Sequence, residues 1–201
     1  MSELRYQRTV MAYHGCDEAT VTQALLRGEA LKASAHDYDW LGQGIYFWEH
    51  GPQRALEWAK WRSQMFGNIR KPAVLGAYIN LGNCFDLLDT RYTRWLTTMF
   101  PVYTEACDAG GIPIPTNRPA RGGPDEDLLL RYLDCAVLNW GLEFLQKTQG
   151  QHFHTVRCVF SEGEPVYAGS KIMARSHIQI AVRDASAIVG FFKPSIDNLG
   201  D

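Results

Sequence analysis

TVMAYHG, residues 9–15, is an apolar, partly β-branched run that ends in a histidine and a glycine, and LGQGIYFW, residues 41–48, is its counterpart further along the chain. Residues 9–13 read as a short strand. A polar imidazole at the end of such a run needs a reason. His14 can be a satisfied core residue, a metal ligand, half of a Cys–His pair with Cys16, or a group that grips a cofactor. Gly15 leaves bare backbone beside the imidazole, so that a flat group can approach the main chain closely. In the second run two glycines precede Tyr46, and Ile45 and Phe47 point away from the face that Tyr46 takes.

The neighbouring segments alternate between the two periodicities. Asp17 is placed to cap a helix over 18–31, with Ala19, Val21, Ala24 and Leu25 turned inward. Residues 32–44 read as a loop and GIYFW as a brief strand. Pro52 suits the first position of a helix that carries Ala55, Trp58, Ala59, Met65 and Phe66 and stops at Gly67. AVLGAYINL, residues 73–81, predicts a central strand covered on both faces. Residues 90–124 read as mixed, with the turn-rich GGIPIPTNRPARGGP at their end. A helix is predicted over 125–148, with a buried stripe of Leu129, Leu133, Ala136, Val137, Trp140 and Phe144. HTVRCVF and HIQIAVRD alternate and read as half-buried strands. In the second, Gln179 shares a face with His177 and Ala181, opposite Ile178, Ile180 and Val182, which marks a polar amide on an open face. The class is α+β, in a single domain over 1–201 with a largely helical elaboration at about 90–150.

Composition narrows the function classes. Hydrophobic residues make up 46% and charged residues 21% of the 201, enough for a packed core and against disorder. A net charge of −2 provides no global field for nucleic acid or an anionic membrane. Local basic pairs remain at Arg91 with Arg94 and Arg118 with Arg121. No segment reaches the roughly 18 apolar residues of a membrane span, and the charged N-terminus lacks a secretory core. Five cysteines without a C-x-x-C pair suggest reduced thiols and a cytoplasmic location.

YHG, then a helix, then GQGIYF followed by a helix with an early alanine, resembles the His–Tyr class of ADP-ribosyltransferases, those like the poly(ADP-ribose) polymerases. His14 and Gly15 match that family's first motif and Tyr46 its second. Counting back from Ile188 along QIAVRDASAI brings Gln179 to the position of the family's glutamate. The resemblance is close over residues 9–60 and loose over 176–192. It implies a split antiparallel sheet with flanking helices that holds NAD as co-substrate, without a metal. The Gly15 backbone would pair with the nicotinamide carboxamide, Tyr46 would stack on the ring, and His14 would hydrogen-bond a ribose hydroxyl. Trp58, beside Glu57 where the family places a second aromatic, would substitute for it only if the helix is rotated. With Gln179 for glutamate the site keeps a hydrogen-bond acceptor and loses a charge and a base. Chain elongation is then disfavoured, and single transfer to an already nucleophilic protein or nucleic acid remains, with release of nicotinamide. An NAD glycohydrolase and a catalytically silent NAD- or ADP-ribose-binding module are the alternatives. By family analogy a compact transferase of this kind suits a toxin or defence effector with an antitoxin or immunity partner.

Three other groupings compete. Glu162 and Glu164 in SEGEP form the acidic pair of the arginine-type transferases, although they follow a strand and read as a turn; they are the first replacement if Gln179 is remote from the cleft. His152 and His154 share a strand face and could chelate zinc with Cys158, with no carboxylate or fourth ligand at a supporting spacing. His14 with Cys16 could form a nucleophile pair, but no oxyanion-hole motif accompanies it.

Overall fold

The structure, a computed structural model, describes residues 6–119 and 128–195. In chain order the elements are β1 (Tyr6–Asp17), α1 (Glu18–Arg27), β2 (Ile45–Glu49), α2 (Pro52–Phe66), β3 (Pro72–Gly82), β4 (Cys84–Asp86), α3 (Thr90–Gly110), α4 (Tyr132–Gln149), β5 (Thr155–Phe160), β6 (His177–Val182) and β7 (Ile188–Phe192). The class is mixed α+β. Seven strands make one sheet in the order β4-β5-β6-β2-β1-β3-β7, antiparallel throughout except for the parallel β4–β5 pair.

Local chemistry accounts for the ends of the helices. The Asp17 carboxylate accepts from the Ala19 N–H at 2.9 Å and ties down Arg70 N and Lys71 N, so it caps α1 and anchors the start of β3 together. The helix stops at Gly28, φ +66°, short of the predicted Leu31. Pro52 opens α2 and Gly67 closes it, as expected. The 90–124 stretch departs from its reading. Most of it is α3, 21 residues capped by Asp89 and carrying Pro101 in its interior. Proline there removes one backbone donor, and the Thr97, Thr98 and Thr104 hydroxyls bond back to carbonyls of the helix around it.

The helix predicted over 125–148 begins only at Tyr132: residues 128–131, with the predicted stripe residue Leu129, are not helical and Leu130 bridges to Arg118, while residues 125–127 lie outside the described ones. Its buried positions are Cys135, Leu138, Gly141, Leu142 and Leu145, not the predicted stripe. The stripe residue Trp140 packs instead on Tyr103 of α3 and on Phe144. A helix covered on two sides shows no single apolar face, which is why the phase read from sequence is rotated.

One face of the sheet buries Val10, Ala12, Phe47, Leu75, Ile79 and Ile180 against α1. On the other face α3 and α4 pack Tyr92, Leu138 and Leu142 over Phe85, Val156 and Ala181, and α2 packs Ala55 and Trp58 over Trp48 and Val74. β5 and β6 are therefore covered more fully than the predicted half-burial. β3 is covered on both faces only as far as Ala77, after which Tyr78 and Asn80 are exposed. Across the sheet interior Arg157 reaches Asp86 at 3.0 Å and Glu49 at 3.1 Å, and Arg8 adds a 2.9 Å contact to Glu49. Among the described residues no helix is long and apolar enough to cross a membrane.

Candidate functional site

The predicted site lies where β1 and β2 part. β1 stays paired with β3 from Thr9 to Asp17, but with β2 its register covers only Ala12 opposite Glu49 and Tyr13 opposite Trp48. His14 follows immediately, and its Nδ1 bonds the Tyr46 carbonyl at 2.8 Å. A carbonyl only accepts, so Nδ1 carries the proton and Nε2 presents a lone pair. Burial holds the imidazole below its ordinary pKa, against the opposing effect of that hydrogen bond. The ring is therefore neutral at pH 7, half-buried beside Phe47, with an acceptor at Nε2.

The register sorts the other residues. Tyr46 lies opposite Ala181, and Gln179 lies opposite Trp48 on one side and Cys158 on the other. Tyr46, Trp48 and Gln179 thus share a face. By alternation His14 projects to the opposite one and meets Tyr46 through its main chain, not its ring. Gln179 is 9% exposed, so the predicted open face is closed there, and its amide makes no hydrogen bond among the described residues. The Tyr46 hydroxyl is fully engaged: it accepts from Leu41 N at 2.8 Å and donates to the Gly42 carbonyl at 2.6 Å. Burial raises its pKa and keeps the phenol neutral.

Gly15 and Trp58 have packing roles as well. A Cβ on Gly15 would stand 2.1 Å from the Ala55 carbonyl oxygen and 3.3 Å from the Trp58 ring. The glycine lets α2 settle directly on β1. Trp58 packs on Trp48, ring centroids 5.7 Å apart, beneath the Arg62 guanidinium. Tyr46 belongs to a different cluster, with Trp40 and Leu87. No Tyr46–Trp58 sandwich forms; Trp48, 4% exposed, stands in register between Tyr13 and Gln179.

A polar cluster that the sequence does not single out lies on the Gln179 face. His177 donates through Nδ1 to the Arg175 carbonyl, which leaves Nε2 as a buried acceptor without a partner. The buried Trp48 indole N–H is a donor without one, and the two rings lie 6.4 Å apart. Glu162 is held by Arg54 at 2.8 Å and comes within 3.8 Å of His177. Arg131 lies over Trp40 at 4.2 Å and over Phe160 at 4.8 Å. These groups are scattered between residues 40 and 177, and only the sheet register brings them together. The orphaned donor and acceptor beside an unpaired amide suit a hydroxyl- or amide-bearing ligand.

Two cavities open beside this cluster. One of about 350 Å³ is mainly apolar and runs between Trp40, Leu96, Phe100, Val137, Cys158 and Phe160. The second, about 170 Å³, is lined by Trp40, Asn117, Arg131, Ser161 and Glu162. Neither is lined by His14, Tyr46 or Gln179. The remaining groupings resolve separately. Cys16 is buried and its thiol is pushed up to about 12, so it is no thiolate partner for His14. Cys158 bonds the Val159 carbonyl and does not join His152 and His154; Asp184 does. Arg118 lies over Tyr132, and Arg121 falls outside the described residues. Comparison of the chain with family models, with characterised protein sequences and with solved structures returns no match in any of the three.

Proposed function

We propose that the chain is an NAD-dependent mono-ADP-ribosyltransferase built on the split-sheet fold that its motifs suggest, acting on a macromolecular acceptor in the cytoplasm. The observation that carries the reading is His14 Nδ1 donating to the Tyr46 carbonyl at the parting of β1 and β2. It ties the two sequence motifs together and fixes a neutral imidazole whose free Nε2 can accept from a ribose hydroxyl. In the proposed reaction the bond between the ribose C1′ and the pyridinium nitrogen breaks, and its electron pair neutralises the departing nicotinamide. The acceptor attacks C1′ of the resulting oxocarbenium and gives up its proton to solvent. Gln179, on the face opposite to His14, supplies no charge or base to an acceptor hydroxyl, which favours a single ADP-ribose as the product. Glu162, the alternative acidic group, is occupied in an ion pair with Arg54.

Labelled NAD incubated with the protein and with cellular protein or RNA tests this directly. Label on a macromolecule, lost in His14→Ala, supports the transferase; free ADP-ribose alone would make it a glycohydrolase. The silent binding module has an observation of its own: the buried Trp48 occupies the face between Tyr13 and Gln179. On that reading NAD is not turned over, and Trp48→Ala increases dinucleotide binding without starting turnover.

A further inference from the structure

His152, His154 and Asp184 bring one ligand atom each to within 4.8 Å of one another, at the strand ends where the chain enters β5 and leaves β6. The imidazoles stand edge to face, centroids 5.2 Å apart, and His152 Nε2 is 3.4 Å from Asp184 Oδ2. The main chain fixes all three. Asn83 Nδ2 donates to the His152 carbonyl at 2.7 Å. The His154 carbonyl accepts from both Arg183 N and Asp184 N, which draws Asp184 to the histidines. Asp184 Oδ1 accepts from Ser186 N at 2.9 Å, so Oδ2 is the oxygen turned toward His152. Ligands placed by backbone hydrogen bonds need little reorganisation to close on an ion.

We propose that His152, His154 and Asp184 form a binding site for a borderline divalent cation of the zinc type, which clamps the entry of β5 to the exit of β6. Two imidazoles and one carboxylate are a donor set that suits Zn²⁺, Co²⁺ or Ni²⁺ better than Mg²⁺ or Ca²⁺, and the partly exposed position leaves water the remaining coordination. One local contact has to yield. His154 Nδ1 accepts from Asn83 N at 3.2 Å. Coordination through Nδ1 takes that lone pair. Coordination through Nε2 requires the neutral tautomer with its proton on Nδ1, so the Asn83 amide loses its acceptor either way. That amide is a reporter of the bound ion. The site does not rest on the proposed transferase activity.

The test is calorimetric titration of chelator-treated protein with ZnCl₂, with CoCl₂ absorption and ¹⁵N spectra alongside. The expected result is one ion per chain, a raised thermal midpoint, visible Co²⁺ bands without a sulfur charge-transfer band, and a displaced Asn83 amide resonance. His152→Ala and Asp184→Asn, in which the asparagine can still accept from Ser186 N, are each expected to weaken binding at least about tenfold while unfolding like the wild type without metal. No saturable binding of either ion overturns the proposal. So does binding that both variants retain, or a sulfur charge-transfer band, which would assign the ion to the cysteines.

Discussion

Tyr46→Phe separates the two roles that Tyr46 can play. The substitution keeps the ring and removes only the hydroxyl, which accepts from Leu41 N and donates to the Gly42 carbonyl. Both Leu41 and Gly42 are buried, so water cannot easily replace the lost partner. A hydrogen bond contributes about 0.5–1.5 kcal/mol net, and a buried group left unsatisfied costs about 1–3 kcal/mol. Two such groups at one turn, with some relaxation, give an expected loss of about 2–4 kcal/mol. At roughly 2–4 °C per kcal/mol for a chain of this size, the thermal midpoint falls by about 4–16 °C. Urea unfolding followed by tryptophan fluorescence measures the loss, and the proposed NAD turnover per folded molecule measures whether the hydroxyl takes part in the chemistry. The hydroxyl is spent on its own loop, so turnover of the folded fraction is expected within about threefold of wild type, under about 1 kcal/mol in the barrier. Stability unchanged within about 0.5 kcal/mol would refute the latch. A stable variant with turnover abolished would move the hydroxyl into the chemistry.

Arg157→Met leaves the Glu49 and Asp86 carboxylates in the sheet interior without their shared cation, and denaturation should show a loss of roughly 3–5 kcal/mol; a change under about 1 kcal/mol would mean water reaches the network. Gly15→Ala puts a methyl 2.1 Å from the Ala55 carbonyl oxygen and should cost about 1–3 kcal/mol by displacing α2, read as a lower thermal midpoint; an unchanged midpoint contradicts that packing. Burial holds both His14 and His177 below the ordinary imidazole pKa. Below about pH 6.5 the unfolded chain takes protons that these native rings resist, so stability should fall as pH drops from about 7.5 to about 5.5, by up to about 1.4 kcal/mol per unit for each ring. Urea midpoints that stay level over that window count against the buried neutral histidines.

What is legible in the sequence depends on where each signal is carried. Asp17, Pro52 and Gly67 mark helix ends through their own side chains and backbone, so α1 and α2 are readable. Pro101 carries a breaker signal inside α3, yet the helix runs on through it, with Tyr103 and Cys107 buried beyond it. β4, at three residues, is defined by its pairing with β5 and is too short for any pattern to register. Alternation along β6 puts Gln179 on the face of His177 and Ala181, but its burial depends on Trp48 and Cys158, which reach it through strand order. The parting of β1 from β2 is likewise a matter of register. No residue in TVMAYHG announces that His14 will project away from Tyr46 and meet its carbonyl instead.

Most atoms of the two motifs already have structural work. Gly15 admits α2; Gly42, at φ +74°, sits where a Cβ would come within 2.5 Å of the Asn139 side chain. The Tyr46 hydroxyl closes the loop before its own strand, and His14 Nδ1 bridges to that strand's backbone. A pattern that satisfies local architecture this fully would persist in a protein with no ligand at all. A site is signalled instead by what is left over: His14 Nε2 and the Gln179 amide, which make no hydrogen bond among the described residues, and the orphaned Trp48 N–H and His177 Nε2. Unpaired buried polar groups cost stability; the Trp48 N–H and His177 Nε2 are two such groups, on the face that the Gln179 amide shares, beside Glu162 and Arg54. A ligand with a hydroxyl and an amide answers all three; packing alone answers none.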